Sequence, residues 1–222
     1  MIEFTLSNGV KMPSVGLGTF LMKPAQAEQA VYDALTLGYR MVDTANGYLN
    51  ERAVGRGIKK SGVPRDEIFI ATKLWPTVYE NPGAVDKCLE LLGVDYIDLL
   101  YLHQPSGNYL AGYKQLEDAY KAGKIRAIGI SNFHDAKLDD LLDHAGIKPH
   151  VIQLESHPYY TDVKTLDKLS GCGTRMVAWY PLGHGDKALL NEPVFTELAG
   201  KYGKSNAQII LRWHVQRGTT VI

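Results

Sequence analysis

Residues Asn206–Ile222 read NAQIILRWHVQRGTTVI. The segment up to Gly218 has the pattern of a helix, and Thr219–Ile222 is a β-branched run of the kind that strands favour. The fold turns on this pair, because seven apolar runs suited to buried parallel strands precede it. They lie at Val15–Leu17, Met41–Val42, Ile68–Thr72, Ile97–Leu102, Ile125–Ile130, Val151–Leu154 and Met176–Trp179. Between them stand helical patterns such as AEQAVYDALTLG, GAVDKCLELLG and YKQLEDAYKAGK, the last two stopping at glycine as helices commonly do. Strands that alternate with helices of about 10–15 residues imply a parallel sheet with right-handed crossovers. With TTVI the units number eight, and eight make a TIM (β/α)8 barrel, typically about 250 residues long. The competing fold is an open doubly wound sheet. Against it, the one GxG, Gly16-Leu17-Gly18, continues Thr19-Phe20-Leu21 without the third glycine of a dinucleotide fingerprint. Ahead of the barrel, FTLSNGVKMP predicts a small β-hairpin turning at Asn8-Gly9.

The chain has 222 residues, enough for one substantial core, and residues 1–222 read as a single domain without linker or short-period repeat. It is 45% hydrophobic and 22% charged, with a formal net charge of zero. That balance offers no electrostatic argument for nucleic acid or an anionic membrane as partner. Its two cysteines, Cys88 and Cys172, form no CxxC and read as free thiols of a reducing compartment. The start MIEFTLSNGVK lacks the basic and apolar regions of a signal peptide, and no long apolar span follows, so a cytoplasmic location is expected.

In a barrel of this kind the reacting groups sit where the strands end and the loops converge. Read in that way, strand two ends on Asp43, strand three on Lys73 and strand four on His103. Strand five ends on Ser131-Asn132, strand six on Gln153 and Glu155, and strand seven on Trp179-Tyr180. Each has a plain structural use: Asp43 or Asn46 as a turn or cap, Lys73 at a strand edge, Gln153 and Asn132 tying down loops. Six apolar strands that all present polar groups at one rim make a site more readily than a coincidence. Tyr48, five residues beyond Asp43, completes a set suited to proton transfer. A phenol titrates near ~10 and needs help as an acid. A lysine beside it is expected to lower that pKa, an aspartate to keep the ammonium charged, and a histidine to orient a carbonyl oxygen.

The motifs around these residues resemble those of the aldo-keto reductases, and the match runs along the whole chain. GYRMVDTANGYLNERAVG agrees at every fixed position with the family's first signature, and TKLW, DYIDLLYLHQP, GKIRAIGISNF, QLESHPYY and WYPLGHGD resemble the later blocks in order. The overall look is nearest the bacterial 2,5-diketogluconate-reductase-like branch. The resemblance implies an NADP(H)-dependent oxidoreductase that reduces aldehydes and ketones to alcohols and is monomeric by family habit. It implies Tyr48 as general acid, Lys73 and Asp43 as its tuning pair, and His103 as the residue that steers the carbonyl. Cofactor contacts are implied for Gly18, Thr19, Phe20, Asp43, Ser131, Asn132, Gln153, Trp179 and the segment Tyr180, Pro181, Leu182, Gly183 and His184. Trp75 and Phe20, with His103, would wall the substrate pocket.

The chain departs from the family pattern in three places. Trp179 with Tyr180-Pro181 stands where members have an aromatic tyrosine in YSPLG, and an indole can still stack on a nicotinamide. Ile152 replaces an asparagine common before the glutamine. The family pattern also continues beyond Ile222 into a 2′-phosphate loop, a last helix and a C-terminal substrate loop. The expectation is therefore a barrel incomplete at its C-terminal end, with NAD not excluded beside NADP and with the outer faces of the last strand meeting water. Two other classes compete with this reading. A cofactor-binding or regulatory barrel without turnover is disfavoured by the intact Asp43, Tyr48, Lys73 and His103. A metal-dependent hydrolase needs clustered ligands such as an early HxH, and His134, His144, His150, His157, His184 and His214 supply none.

Overall fold

The computed structural model describes residues 2–222. A hairpin opens the chain: β1 (Glu3–Thr5) pairs antiparallel with β2 (Lys11–Pro13). Its turn is longer than a bare Asn-Gly. The Leu6 N–H donates to Val10 O at 2.8 Å and the Gly9 N–H to Leu6 O at 2.9 Å, which leaves Ser7-Asn8-Gly9 as the loop. Gly9 takes the left-handed position, φ +87°, that such three-residue loops require. Leu6 and Met12 are buried in one cluster with Met41, Phe69, Leu99, Val151 and Val177. The hairpin thus plugs the N-terminal end of the barrel.

Eight strands follow, all parallel and in sequence order: β3 (Leu17–Gly18), β4 (Met41–Asp43), β5 (Phe69–Leu74), β6 (Leu99–Leu102), β7 (Ile128–Ser131), β8 (Val151–Glu155), β9 (Arg175–Trp179) and β10 (Thr220–Val221). A parallel bridge between Val15 and Val221 closes the ring. The Gly16 N–H donates to Val221 O at 2.8 Å and the Val221 N–H to Ser14 O at 3.1 Å. The expectation that the last strand's outer face meets water is corrected: Val221 is 1% exposed and Thr220 0%.

The helices are α1 (Pro24–Thr36), α2 (Glu51–Ser61), α3 (Ala84–Leu92), α4 (Tyr109–Lys121), α5 (Asp135–His144), α6 (Val163–Ser170), and then α7 (Lys187–Leu190), α8 (Pro193–Tyr202) and α9 (Asn206–Gln216) between the last two strands. Some of their ends are written in the sequence. Gly62 and Gly93 stop α2 and α3 in the left-handed conformation. Ser205 and Gln208 form a reciprocal capping box at the start of α9.

Alternation along the strands sorts the side chains. Val42, Ile70, Leu100, Ile128, Ile152 and Met176 pack in one buried cluster with Val31, Leu35, Val54, Leu92, Leu116 and Leu138 of the helices. Their neighbours Asp43, Lys73, Tyr101, Ser131 and Gln153 therefore point into the barrel. Strand limits moved where pairing overruled local pattern. The run expected at Ile68–Thr72 continues through Lys73 to Leu74, paired residue by residue with β6. The one expected at Ile125–Ile130 contracts to Ile128–Ser131, with Ile125 only bridging Ile97.

Candidate active site

At the C-terminal end of the strands lies a cavity of about 810 Å³, within the usual range for small-molecule sites. Beneath it sits a buried ion pair. Asp43 is 1% exposed and Lys73 0%. The Lys73 ammonium donates to Asp43 Oδ1, to Thr44 O at 3.0 Å and to the Tyr48 hydroxyl at 3.5 Å, so each of its three protons has an acceptor. The other carboxylate oxygen, Asp43 Oδ2, accepts from Gln153 Nε2 at 2.9 Å.

Local chemistry brings Tyr48 to the same point. After β4 the chain makes a tight helical turn, Asn46–Tyr48, that ends in Leu49 with φ +57°. Two asparagines hold this turn. Asn46 Oδ1 accepts the Trp75 N–H at 2.8 Å. Asn50, 1% exposed, accepts from Thr44 Oγ1 at 2.8 Å and donates to Thr19 O and Met22 O at 3.0 and 3.1 Å. The loops after β3 and β4 are thereby tied into one rim. Tyr48 packs against Phe20 at 5.1 Å and edge-on against His103 at 5.5 Å.

Burial dominates the electrostatics. It raises the Asp43 pKa above the ordinary carboxylate value, against the pull of the Lys73 ammonium. Burial alone would lower Lys73, but Asp43 and Tyr48 together hold it above its ordinary value. Tyr48 corrects the sequence-based expectation. Burial raises its pKa above 10, and Lys73 only offsets part of that rise. The phenol therefore keeps its proton across the neutral range. His103 is pushed down to about 3, first by burial and then by the Lys73 charge, so its imidazole is neutral. Its ring stands edge-on to Trp75 at 4.9 Å, and its buried Nδ1 has no hydrogen-bond partner.

The cavity wall gathers Gly18, Phe20, Asp43, Tyr48, Trp75, His103, Ser131, Asn132, Gln153, Trp179 and Tyr180 from the residues expected at the site. Asn132, at φ +64°, receives the Trp179 indole N–H on Oδ1 at 2.9 Å. Lys73 lies behind the wall, and Thr19 is buried with its hydroxyl on Asp43 O at 3.2 Å. Of the segment Tyr180–His184, Tyr180 alone lines the cavity. Pro181 O faces His214 Nε2 at 3.3 Å, Leu182 packs beside Leu189, Phe195 and Ile210, and His184 stacks on Tyr180 at 3.6 Å. The wall also includes Gly16, Leu17, Leu21, Tyr39, Gly47, Gln104 and Ile222, which sequence reasoning missed. Adjacency to Phe20, Tyr48 and His103 could have flagged Leu21, Gly47 and Gln104. Nothing local marks Tyr39 or Ile222.

Among the described residues no group of three His, Cys, Asp or Glu side chains could hold a metal ion, and no helix is long and apolar enough to cross a membrane. The donor set does suit a nicotinamide. Gln153 Nε2 is spent on Asp43, which leaves its Oε1 and the Ser131 hydroxyl for an amide, while Trp179 and Tyr180 offer ring faces.

A protonated phenol backed by a buried ammonium–carboxylate pair puts a candidate general acid at the rim where parallel barrels keep their reacting groups. Comparison with known proteins agrees. Residues 14–222 match the Aldo/keto reductase family, and the chain belongs to it. It is 46% identical over 222 residues to glyoxal reductase of Bacillus subtilis, covering 98% of this chain and 80% of that protein. It is 37% identical over 250 residues to glycerol 2-dehydrogenase (NADP(+)) of Saccharomyces cerevisiae, covering 98% and 80%. The crystal structure of an aldo/keto reductase from Brucella melitensis superposes with a TM-score of 0.93 at 36% identity, over 100% of this chain and 87% of that one. The protein is accordingly an NAD(P)H-dependent oxidoreductase of carbonyl compounds.

Proposed function

We propose that the protein reduces small aldehydes and ketones to alcohols with NADP(H), using Tyr48 as proton donor. One observation carries this reading: the buried Lys73 ammonium lies between Asp43 Oδ1, Thr44 O and the Tyr48 hydroxyl at the base of the cavity. When bound, the reduced nicotinamide supplies the hydride. Ser131, Asn132 and Gln153 would hold its amide, and Trp179 and Tyr180 its ring. NADP over NAD is favoured by the NADP(+) named for the yeast relative.

The rest follows from this chain's own groups. Negative charge that develops on the substrate oxygen draws the proton from the Tyr48 hydroxyl. The phenolate left behind is stabilised by the Lys73 ammonium at 3.5 Å, and Asp43 keeps that ammonium charged and in place. His103 is neutral and can hydrogen-bond the same oxygen without adding charge. Trp75, Phe20 and Leu21 give the rest of the wall an apolar face.

The test is NADPH oxidation over a panel of aldehydes, dicarbonyls included, with wild type and Tyr48→Phe. General acid catalysis contributes ~10²–10⁴-fold. The variant should lose turnover on that scale while its NADPH affinity, read by fluorescence titration, stays near wild type. A variant that keeps half its rate would remove Tyr48 from the role. NADPH binding without turnover of any carbonyl would make the protein a cofactor-binding barrel.

A further inference from the structure

We propose that Tyr79 is a positioning residue for His103, fixing where the imidazole presents itself to the substrate oxygen. The inference rests on the carbonyl-orienting role given to His103 above. Tyr79 is 0% exposed and lies outside the cavity, on the loop that runs from Trp75 through the short turn Pro76–Val78. Its hydroxyl donates to Gln104 O at 2.8 Å and accepts the Gln104 N–H at 3.0 Å. One side chain thus satisfies both backbone groups of the residue immediately after His103.

His103 depends on such a brace. With no partner for Nδ1, no hydrogen bond there sets the tilt of the ring. Its placement comes from the backbone and from packing between Tyr48 and Trp75. The backbone is held by the His103 N–H on Leu74 O at 3.0 Å, by a long contact from Asn132 Nδ2 to His103 O at 3.4 Å, and by the Tyr79 clamp one residue on. Tyr79 is itself fixed. Gln115 Nε2 donates to its carbonyl. Gly112 of α4 leaves room for its ring, since a Cβ there would stand 2.8 Å from Tyr79 Cγ. Tyr79 and Trp75 share a loop, so the clamp also sets the spacing between the indole and the imidazole.

The experiment compares steady-state kinetics of wild type, Tyr79→Phe, Tyr113→Phe and His103→Gln, using NADPH and the best aldehyde of the panel. Tyr113 is the control: its hydroxyl is likewise buried on a backbone carbonyl, Ile147 O at 2.7 Å, but away from the cavity. Small misplacements of a catalytic geometry cost large rate factors, so Tyr79→Phe should lower kcat/KM for the aldehyde on the order of tenfold. NADPH affinity should be unchanged. Tyr113→Phe should lose similar thermal stability and keep its kinetic constants. If Tyr79→Phe does not fold, Gly112→Ala, which presses on the same ring, should give the same kinetic signature. Wild-type kcat and KM in Tyr79→Phe, or an equal kinetic loss in Tyr113→Phe, would overturn the proposal. If His103→Gln loses activity while Tyr79→Phe does not, only the positioning role fails. If His103→Gln retains full turnover, the role of His103 fails and the positioning role falls with it.

Discussion

Replacing Asp43 by Asn keeps the shape of the side chain and removes one charge from beneath the cavity. The Lys73 ammonium then stands 0% exposed with Thr44 O, Tyr48 and an amide oxygen for company and no counter-charge. Breaking a buried pair by removing one partner typically costs about 3–5 kcal/mol. An independent bound agrees. The folded variant can escape the unpaired charge by releasing the lysine proton, and from an unfolded pKa near 10.4 that costs about 4–5 kcal/mol at pH 7. The sign of the pH dependence follows. In the variant the folded-state pKa of Lys73 drops below its unfolded value, so the unfolded chain binds more protons and stability rises with pH, by about 1.4 kcal/mol per unit at most. Wild type shows no such rise from this group. Its Lys73 is raised, so the contribution is fully present below the unfolded pKa and is lost only as pH climbs through the folded one. Urea denaturation of both proteins at pH 7 and about 9 measures the gap, which should be about 3–5 kcal/mol and narrow clearly at the higher pH. A gap below about 1 kcal/mol, or one that ignores pH, would refute the idea that Asp43 holds a trapped ammonium in place.

Three further outcomes are expected. Turnover at saturating cofactor should show no inflection near the ordinary histidine value of ~6.5. His103, pushed down to about 3, is neutral near pH 7, and Tyr48 keeps its proton until pH passes its raised pKa, beyond which activity falls. A chelator should leave the same rate intact, and loss of rate restored by zinc would move the chemistry to a metal. In the core, Gly129→Ala would place a Cβ 2.3 Å from Cδ1 of Tyr101, which is 0% exposed and cannot swing away. The cost should be about 1–3 kcal/mol, and combining it with Tyr101→Leu should lose less than the sum of the two single changes; strictly additive losses in urea midpoints would contradict the clash.

The strand ends were legible because alternation leaves a strong trace. Outward positions such as Val42, Ile70 and Ile152 must be apolar to meet the helices, so Asp43, Lys73 and Gln153, at the upper ends of the same strands, stood out as inward polar groups. Thr219–Ile222 read as a strand for its β-branched residues, and Thr220–Val221 is one. How the ring closes was not legible. Val15 meets Val221 through a single bridge, and no pattern within either segment names the other. The same holds for Gln153 on Asp43, 110 positions apart, and for Trp179 on Asn132. Family resemblance assigns Gln153 and Asn132 to a cofactor amide. The fold gives each a second task, with Gln153 bracing the Asp43 carboxylate and Asn132 locking the indole.

The direction of the Tyr48 shift shows why a correct list of charges can still give the wrong sign. The residues next to the phenol say that a lysine should make it more acidic, and Lys73 does pull that way. But the same closure that brings Lys73 to 3.5 Å also takes water away from the hydroxyl, and desolvation acts on the phenolate alone. How much water is lost depends on Phe20, His103 and Lys73, which arrive from three different strand ends. No spacing in the sequence encodes that sum. The proton-donor role proposed for Tyr48 is better served by the outcome that packing produces. A phenol whose pKa had fallen into the neutral range would spend part of its time without the proton that the proposed role asks it to give. With its pKa raised, Tyr48 stays loaded, and in the proposed role the Lys73 ammonium would matter only as the proton leaves and negative charge forms beside it.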